Sequence, residues 1–153
     1  MEIRHDQSLS LPCAAERLIP HRLAMRLIER LVERDPLQLS GRVEARLAAD
    51  SMFLSDDQGL MSEYLIEVAA QGIAAINGYD GLLAGSRAKV GFLVGVDGWH
   101  CLGLPQVEAA ISVDLQQTFE FGAIKIVHGV IRQHGQILAE GDLKVWEGDA
   151  FPS

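Results

Sequence analysis

The sequence is poor in cysteine, in long apolar runs and in basic residues, and each shortage excludes a class of protein. Its two cysteines, Cys13 and Cys101, lack the spacing of a zinc site, and a pair of cytoplasmic thiols fits them better than the disulfide framework of a secreted domain. No apolar run approaches the roughly 18 residues that a membrane-spanning helix needs. Residues 1–6 have neither the basic nor the apolar region of a signal peptide. We therefore expect a cytoplasmic protein without a bound metal or a membrane span.

The scarcity of basic residues also argues against nucleic acid as a partner. The chain has 13 lysines and arginines against 21 aspartates and glutamates, which gives a formal net charge of -8. A chain with this charge repels a phosphate backbone. An acidic partner would have to be met by a local basic patch.

The length of the chain fits one domain with a hydrophobic core of its own. It has 153 residues, and we find no internal repeat, low-complexity tract or linker in it. Residues 1–17 are expected to form a loose arm that leads into a short helical turn. The rest of residues 1–153 is expected to form the single domain.

Residues 59–78 have the pattern of a long, largely apolar helix. The pair Asn77-Gly78 suits a left-handed cap and predicts the end of this helix, with a glycine-rich connector over residues 79–86. At 3.6 residues per turn, the residues that fall on one face are Met61, Tyr64, Leu65, Val68, Ala69, Gly72, Ile73 and Ile76.

A second stripe of the same helix is unusual for a solvated surface. It holds Glu63, Glu67 and Gln71 among small and apolar residues, and no basic residue occurs between Arg46 and Arg87. A carboxylate without a partner in the middle of an apolar helix is either a poorly solvated surface residue or a functional one. We interpret Glu67 as functional.

The remaining segments predict an antiparallel sheet wrapped around the helix, and hence an α+β domain. Residues 38–48 alternate between apolar and polar, as a strand with one wet face does. Residues 90–97 form an apolar run that suggests a buried strand. Residues 23–34 are ambiguous, because the periodicity of their apolar residues alone favours a helix. Further strands are predicted over 107–121, 124–133 and 136–146, the last two joined as a hairpin.

Four short motifs in order resemble one family. They are L-I-P-H-R at 18–22, L-I-E-V-A-A-Q at 65–71, F-L-V-G-V-D at 92–97 and H-G-Q-I-L-A-E at 134–140. Together they resemble the bacterial 3-hydroxyacyl-ACP dehydratases, and most closely the variant (ApeP-like) dehydratases of aryl-polyene-type lipid clusters. The resemblance implies a dimeric hotdog fold. It also implies a short helix at P-H-R followed by a strand, and we adopt this reading of residues 26–34 over the helical one.

The resemblance also implies roles for particular residues. Glu67 is expected to act as the general acid that dehydrates a 3-hydroxyacyl group carried on the phosphopantetheine of an acyl carrier protein, with no cofactor bound by the chain itself. Burial in a tunnel between helix and sheet would favour its protonated form. Gln71 is expected to orient Glu67 or to line the pocket, and Tyr64, Gly91 and Phe92 are expected to contact the substrate. A basic rim for the carrier protein is expected among Arg17, Arg22, Arg26, Arg30, Arg87 and Lys89.

One departure from the family pattern bears on catalysis. The fatty-acid dehydratases carry an H-F-P-G loop before the helix, and its histidine is the catalytic base, whereas residues 53–62 of this chain contain neither histidine nor proline. The base is therefore expected from a second hotdog subunit in a heterodimer, or from a relocated histidine such as His21. Two alternatives stay open, namely a non-catalytic subunit that shapes the acyl tunnel of a partner, and a thioesterase in which Glu67 activates water.

Overall fold

The computed structural model describes residues 9–57, 59–86 and 90–148. Within them, one long helix packs against an antiparallel sheet, which confirms the expected α+β arrangement. The helix is α1 (Tyr64–Leu83), and the strands are β1 (Cys13–Ala14), β2 (Ile28–Asp35), β3 (Ser40–Arg46), β4 (Leu54–Ser55), β5 (Gly59–Leu60), β6 (Val90–Cys101), β7 (Ala110–Phe121), β8 (Ile124–Gln133) and β9 (Gln136–Gly148).

The large sheet has the strand order β1-β2-β3-β7-β8-β9-β6, and neighbouring strands are antiparallel. Helix α1 contacts β2, β3, β7 and β8 on one face of this sheet. The core lies between the helix and the sheet, and Leu18 and Ile19 also belong to it. No helix within the described residues is long and apolar enough to cross a membrane.

Residues 23–35 form a short 3-10 turn (Leu23–Met25) and then β2, so the strand reading is confirmed and the helical periodicity is misleading. The register of β2 against β3 shifts twice, between Ile28 and Arg30 and between Leu31 and Glu33. Because a bulge adds a residue to one strand, it changes which side chains point inward. Ile28 and Leu31 are consequently both buried at a spacing of three, which imitates the spacing of a helix.

The first segment is ordered where it is described. Cys13 pairs with Leu31 at the edge of the sheet, and a 3-10 turn at Ala15–Arg17 forms the expected helical turn. Cys13 is buried, Cys101 is exposed, and the two form no disulfide with each other. Residues 1–8 of the expected arm lie outside the described residues.

The predicted bounds of the long helix are wrong at both ends. Its first residue is Tyr64, since Gly59 and Leu60 pair with β4. It continues through Asn77-Gly78 to Leu83, so most of the predicted connector is helical. Gly78 does not reverse the chain there. Its missing side chain instead lets the helix touch the carbonyl oxygen of Leu18, and a Cβ atom would collide with that oxygen.

The strand predicted at residues 90–97 is present as part of β6, but the prediction that it is buried is wrong in the single chain. Strand β6 lies at the edge of the sheet, where it pairs with β9. Its apolar side chains are accordingly open to solvent in the single chain, with Leu93 39% and Val94 54% exposed. An exposed apolar edge strand of this length is suited to pairing with another chain.

Candidate active site

A cavity of about 580 Å³ lies between α1, the segment over residues 18–21 and the ends of β6 and β9. The described residues that line its middle are mostly apolar, and the polar ones gather at its two ends. Five of the six residues predicted for the site lie in its wall, namely Glu67, His21, Gln71, Gly91 and Phe92.

Glu67 and His21 stand next to each other at one end of this cavity. Glu67 lies in the first turn of α1, and its Oε1 is 4.0 Å from His21 Nε2. The two side chains are 41% and 31% exposed, so this chain alone does not provide the burial that we expected for Glu67. His21 Nδ1 is buried and has no hydrogen-bond partner among the described residues. The pair can exchange a proton with a molecule in the cavity, but it is open to water.

Gln71 is hydrogen-bonded both to Glu67 and to the backbone of residues 25–27, which follow His21 in the chain. Its Nε2 donates to Glu67 Oε1 at 3.2 Å and to the carbonyl oxygen of Met25 at 2.8 Å. Its Oε1 accepts the backbone N–H of Leu27 at 2.8 Å. This amide is almost completely buried, so its three hydrogen bonds form where water competes little. Gln71 thus bonds Glu67 and lies in the wall of the same cavity.

The segment over residues 18–22 packs against the helix and is hydrogen-bonded within itself. Leu18 touches α1 at Gly78, and Arg22 Nη1 donates to the carbonyl oxygens of Ile19 and His21 at 2.6 and 2.9 Å. Neither neighbouring 3-10 turn is capped by a side chain, so His21 does not cap a helix here. The P-H-R motif therefore positions His21 against Glu67.

Tyr64 is not part of this cavity. It is 1% exposed on the sheet-facing side of α1, where its ring meets Phe53 edge to face with centroids 5.5 Å apart. Burial raises the pKa of Tyr64 to about 12, so its hydroxyl stays protonated at neutral pH. The hydroxyl has no hydrogen-bond partner among the described residues. Tyr64 is therefore a core residue that does not line this cavity.

Gly91 and Phe92 reach the cavity in different ways. Gly91 is paired with Glu147, and Phe92 with Trp146, in the register of β6 and β9. Since successive side chains point to opposite faces of a sheet, Phe92 and Trp146 lie on the face opposite to Glu147. Their ring centroids are 6.0 Å apart. We infer that Phe92 borders the cavity through its backbone, whereas Gly91 leaves space beside Glu147.

Sequence reasoning missed the polar residues at the other end of the cavity. Asn77 Nδ2 and Lys125 Nζ each donate to the carboxylate of Glu147, at 2.6 Å to Oε1 and 2.6 Å to Oε2. Glu147 continues the inward alternation of Leu143 and Val145 along β9, and this pattern could have revealed it. The sequence pattern instead predicts Asn77 as part of a helix cap.

The predicted basic rim is reduced by ion pairs. Arg26 lies 3.3 Å from Glu16, and Arg30 lies 2.7 Å from Glu44. Arg87 and Lys89 lie outside the described residues. Arg22 directly follows His21 in the chain and donates to backbone carbonyl oxygens.

The loop that carries the catalytic histidine in the fatty-acid dehydratases folds here into the small hairpin of β4 and β5. Among the described residues that line the cavity, His21 is the one histidine. The described part of the chain contains no group of three or more His, Cys, Asp or Glu residues placed to hold a metal ion.

Comparison with solved structures shows that the fold is a known one. The dehydratase heterocomplex ApeI:P from Xenorhabdus doucetiae matches with a TM-score of 0.77 at 21% identity, over 91% of this chain and 92% of that chain. The structure of smu.793 from Streptococcus mutans bound to acetyl CoA matches with a TM-score of 0.64 at 9% identity, over 88% and 98%. A hypothetical thioesterase from Streptococcus pneumoniae with coenzyme A matches with a TM-score of 0.56 at 9% identity, over 74% and 81%. These likenesses confirm the hotdog fold.

The sequence itself gives the family. No curated protein matches it. A family model described as ApeP-like, ApeP dehydratase, matches residues 13–152, which is nearly the whole chain. The chain therefore belongs to the ApeP-like dehydratase family.

Proposed function

We propose that this chain is the acid-bearing subunit of a cytoplasmic dehydratase that removes water from 3-hydroxyacyl groups on an acyl carrier protein, in the synthesis of fatty acids or aryl-polyene-type lipids. The observation that carries the proposal is the position of Glu67, which lies in the wall of a mostly apolar cavity and is oriented by the buried amide of Gln71. An acyl chain fits such a cavity, and a fixed carboxyl group at one end can reach its reacting carbons.

The reaction needs one acid and one base. The base removes a proton from C2 of the 3-hydroxyacyl thioester, the C2–C3 double bond forms, and the C3–O bond breaks as the acid protonates the leaving hydroxyl group. Glu67 supplies this proton in our proposal and is restored when the base returns its proton. Water and the enoyl thioester are the products.

The base comes from a second hotdog subunit in this proposal. Two features of the single chain support a missing partner, namely the 41% exposure of Glu67 and the exposed apolar edge of β6. A partner paired along β6 would cover the mouth of the cavity and exclude water, which strengthens electrostatic interactions inside it. The likeness to a dehydratase heterocomplex points in the same direction.

His21 is the alternative base, since its imidazole lies 4.0 Å from Glu67. His21 would serve only if the reacting carbons bind between the two side chains.

Reconstitution tests the proposal. The chain alone, an H-F-P-G-bearing hotdog dehydratase alone, and the two mixed are given 3-hydroxyacyl carrier protein, and both enoyl product and free thiol are measured. We expect the two chains to co-elute and the mixture to form enoyl product much faster than this chain alone.

Three other results would each replace the proposal. Fast dehydration by the chain alone, lost in His21→Ala, assigns the base to His21. Release of free thiol without enoyl product identifies a thioesterase. Co-elution with a rate that is unchanged in Glu67→Gln identifies a scaffold subunit.

A further inference from the structure

The imidazole of His21 presents one of its ring nitrogens to the cavity. Its Nδ1 is buried and has no hydrogen-bond partner among the described residues, whereas its Nε2 lies 4.0 Å from Glu67 Oε1 in the cavity wall. In a neutral imidazole, the nitrogen that holds the proton donates a hydrogen bond and the other nitrogen accepts one. The role of His21 in the reaction therefore depends on which nitrogen holds this proton.

The orientation of the Gln71 amide decides which oxygen of Glu67 accepts a hydrogen bond. Gln71 Oε1 accepts the backbone N–H of Leu27, and its Nε2 donates to the carbonyl oxygen of Met25, so these main-chain groups exclude the flipped amide. The amide nitrogen that lies 3.2 Å from Glu67 Oε1 can only donate. Oε1 is therefore an acceptor, and in the acid form of Glu67 the proton is on Oε2.

The same acceptor determines where the proton of His21 lies. Since Oε1 accepts, the Nε2 that faces it is favoured as an N–H donor, because two acceptors that face each other form no hydrogen bond. A base would need the opposite arrangement, with a free lone pair on Nε2 and the proton on Nδ1. That proton would be buried without an acceptor among the described residues, which is costly. This geometry favours a His21 that donates from Nε2.

The space beside the two side chains suits one oxygen atom of a substrate. Hydrogen bonds to an oxygen atom are about 2.7 to 3.0 Å long. An oxygen atom beside the 4.0 Å gap between His21 Nε2 and the Glu67 carboxyl group can therefore contact both side chains at once. In the proposed reaction, the oxygen that Glu67 must reach is the 3-hydroxyl oxygen.

We propose that His21 is a second catalytic residue, which donates its Nε2–H to the 3-hydroxyl oxygen of the substrate while Glu67 protonates that oxygen. This inference rests on the proposed function, because it concerns the same reaction. As the C3–O bond breaks, its electron pair goes to the oxygen, which takes the proton from Glu67 Oε2 and leaves as water. The proton of His21 stays on Nε2, and its hydrogen bond stabilises the negative charge that develops on the oxygen.

Two substitutions at His21 separate a donor from a base. In the reconstituted complex, His21→Leu removes the donor and should lower kcat about tenfold to hundredfold. KM should change less, because the hydrogen bond is strongest to the charge of the transition state. His21→Gln keeps an N–H donor but cannot act as a base, so it should recover most of the lost kcat. His128→Gln is the matched control, since His128 does not line this cavity.

Two outcomes would overturn the inference and leave the dehydration reaction in place. Equal and large losses of kcat in His21→Leu and His21→Gln, with urea unfolding as in the wild type, would mean that His21 does not act as a donor. A kcat that is unchanged in His21→Leu would mean that His21 does not contact the leaving oxygen.

Binding without turnover distinguishes a failure of this inference from a failure of the proposed function. Calorimetry on the Glu67→Gln complex compares a 3-hydroxyacyl pantetheine with the acyl pantetheine that lacks the hydroxyl group. The hydroxyl group should strengthen binding about twofold to tenfold, and adding His21→Leu, but not His21→Gln, should reduce this gain. If the wild-type complex does not dehydrate but this pattern is found, the proposed reaction is wrong and the contact of His21 with the hydroxyl group stands. A gain that His21→Leu leaves unchanged overturns the contact.

Discussion

The two ends of the cavity are built in opposite ways around one carboxylate each. Glu67 is 41% exposed, and its nearest charged or titratable neighbour among the described residues is a histidine 4.0 Å away. Glu147 is 3% exposed and is held by Lys125 and Asn77 at 2.6 Å each. The carboxylate at one end is half-exposed and has few contacts, while the carboxylate at the other end is buried and each of its oxygens accepts a hydrogen bond within the chain.

Because of this difference, the two carboxylates are expected to contribute to different properties of the protein. A buried ion pair contributes little net stability compared with apolar residues, but the loss of one partner is costly. A half-exposed carboxylate contributes little to folding and keeps lone pairs for a ligand or another chain. We therefore expect substitutions at Glu67 to affect the reaction and single substitutions at Glu147 to affect folding.

The largest expected effect is on the rate of dehydration in Glu67→Gln. The variant keeps the size of the side chain and loses the acid, so the reconstituted complex should slow by about 100- to 10,000-fold, as is typical for loss of general acid catalysis. The free energy of unfolding, from urea titration, should change by less than about 0.5 kcal/mol. Glu63→Gln is the control, because Glu63 is exposed at the start of the same helix and lies outside the cavity wall.

The second effect is on stability in Glu147→Leu. Lys125 is 20% exposed and would lose its carboxylate partner, so we expect about 3 kcal/mol of destabilisation, at the low end for a broken buried pair. Adding Lys125→Met should recover most of this loss in urea titrations. A single variant as stable as the wild type would mean that Lys125 finds another partner or reaches water.

The third prediction concerns the hydrogen bonds that join Gln71 on α1 to the backbone of residues 25–27. Gln71→Leu leaves the N–H of Leu27 and the carbonyl oxygen of Met25 without their partner and should cost about 2 kcal/mol in stability. Faster hydrogen exchange over residues 25–27 should accompany the loss. Gln116→Leu removes an exposed glutamine that bonds a backbone carbonyl and should cost far less. An equal loss of stability in both variants would mean that the buried hydrogen bonds of Gln71 contribute no more than the exposed ones of Gln116.

The smallest effect is expected at Tyr64, on the face of α1 that is buried against the rest of the same chain. Tyr64→Phe removes a buried hydroxyl that has no partner among the described residues, and stability at neutral pH should rise by up to about 1 kcal/mol. The pKa of Tyr64 is raised to about 12 in the folded chain and is about 10 when unfolded. The wild type should therefore lose stability as the pH rises from about 10 through about 12, and the variant should lose less. A variant that is clearly less stable at neutral pH would show that the hydroxyl does have a partner.

Local sequence patterns predicted the structure correctly where it depends on residues that are near one another in the sequence. The helix periodicity identified Tyr64, Val68 and Ile76 as core, and the motif around Glu67 and Gln71 identified the wall of the cavity. They failed where a contact distant in sequence decides the outcome. Asn77-Gly78 has the composition of a helix end, but Asn77 bonds Glu147 seventy residues later and Gly78 packs on Leu18, so the helix continues.

Two further failures have the same physical origin. The apolar residues of β6 predicted burial, but they lie on a strand whose outer edge pairs with no other strand of the described chain. The spacing of Ile28 and Leu31 predicted a helix, because bulges in β2 changed the alternation of a strand. A hydrophobic pattern indicates that a side chain should be buried, but it does not indicate whether the same chain or a partner chain buries it.

A double-variant comparison across the two subunits tests the central claim most directly. Dehydration rates are measured for complexes with Glu67→Gln in this chain, with the H-F-P-G histidine of the partner changed to alanine, and with both changes. Since groups that act together in one site are non-additive, we predict that the double variant is no slower than the slower single variant. Rate losses that multiply would contradict the composite site, as would a Glu67→Gln complex as fast as the wild type.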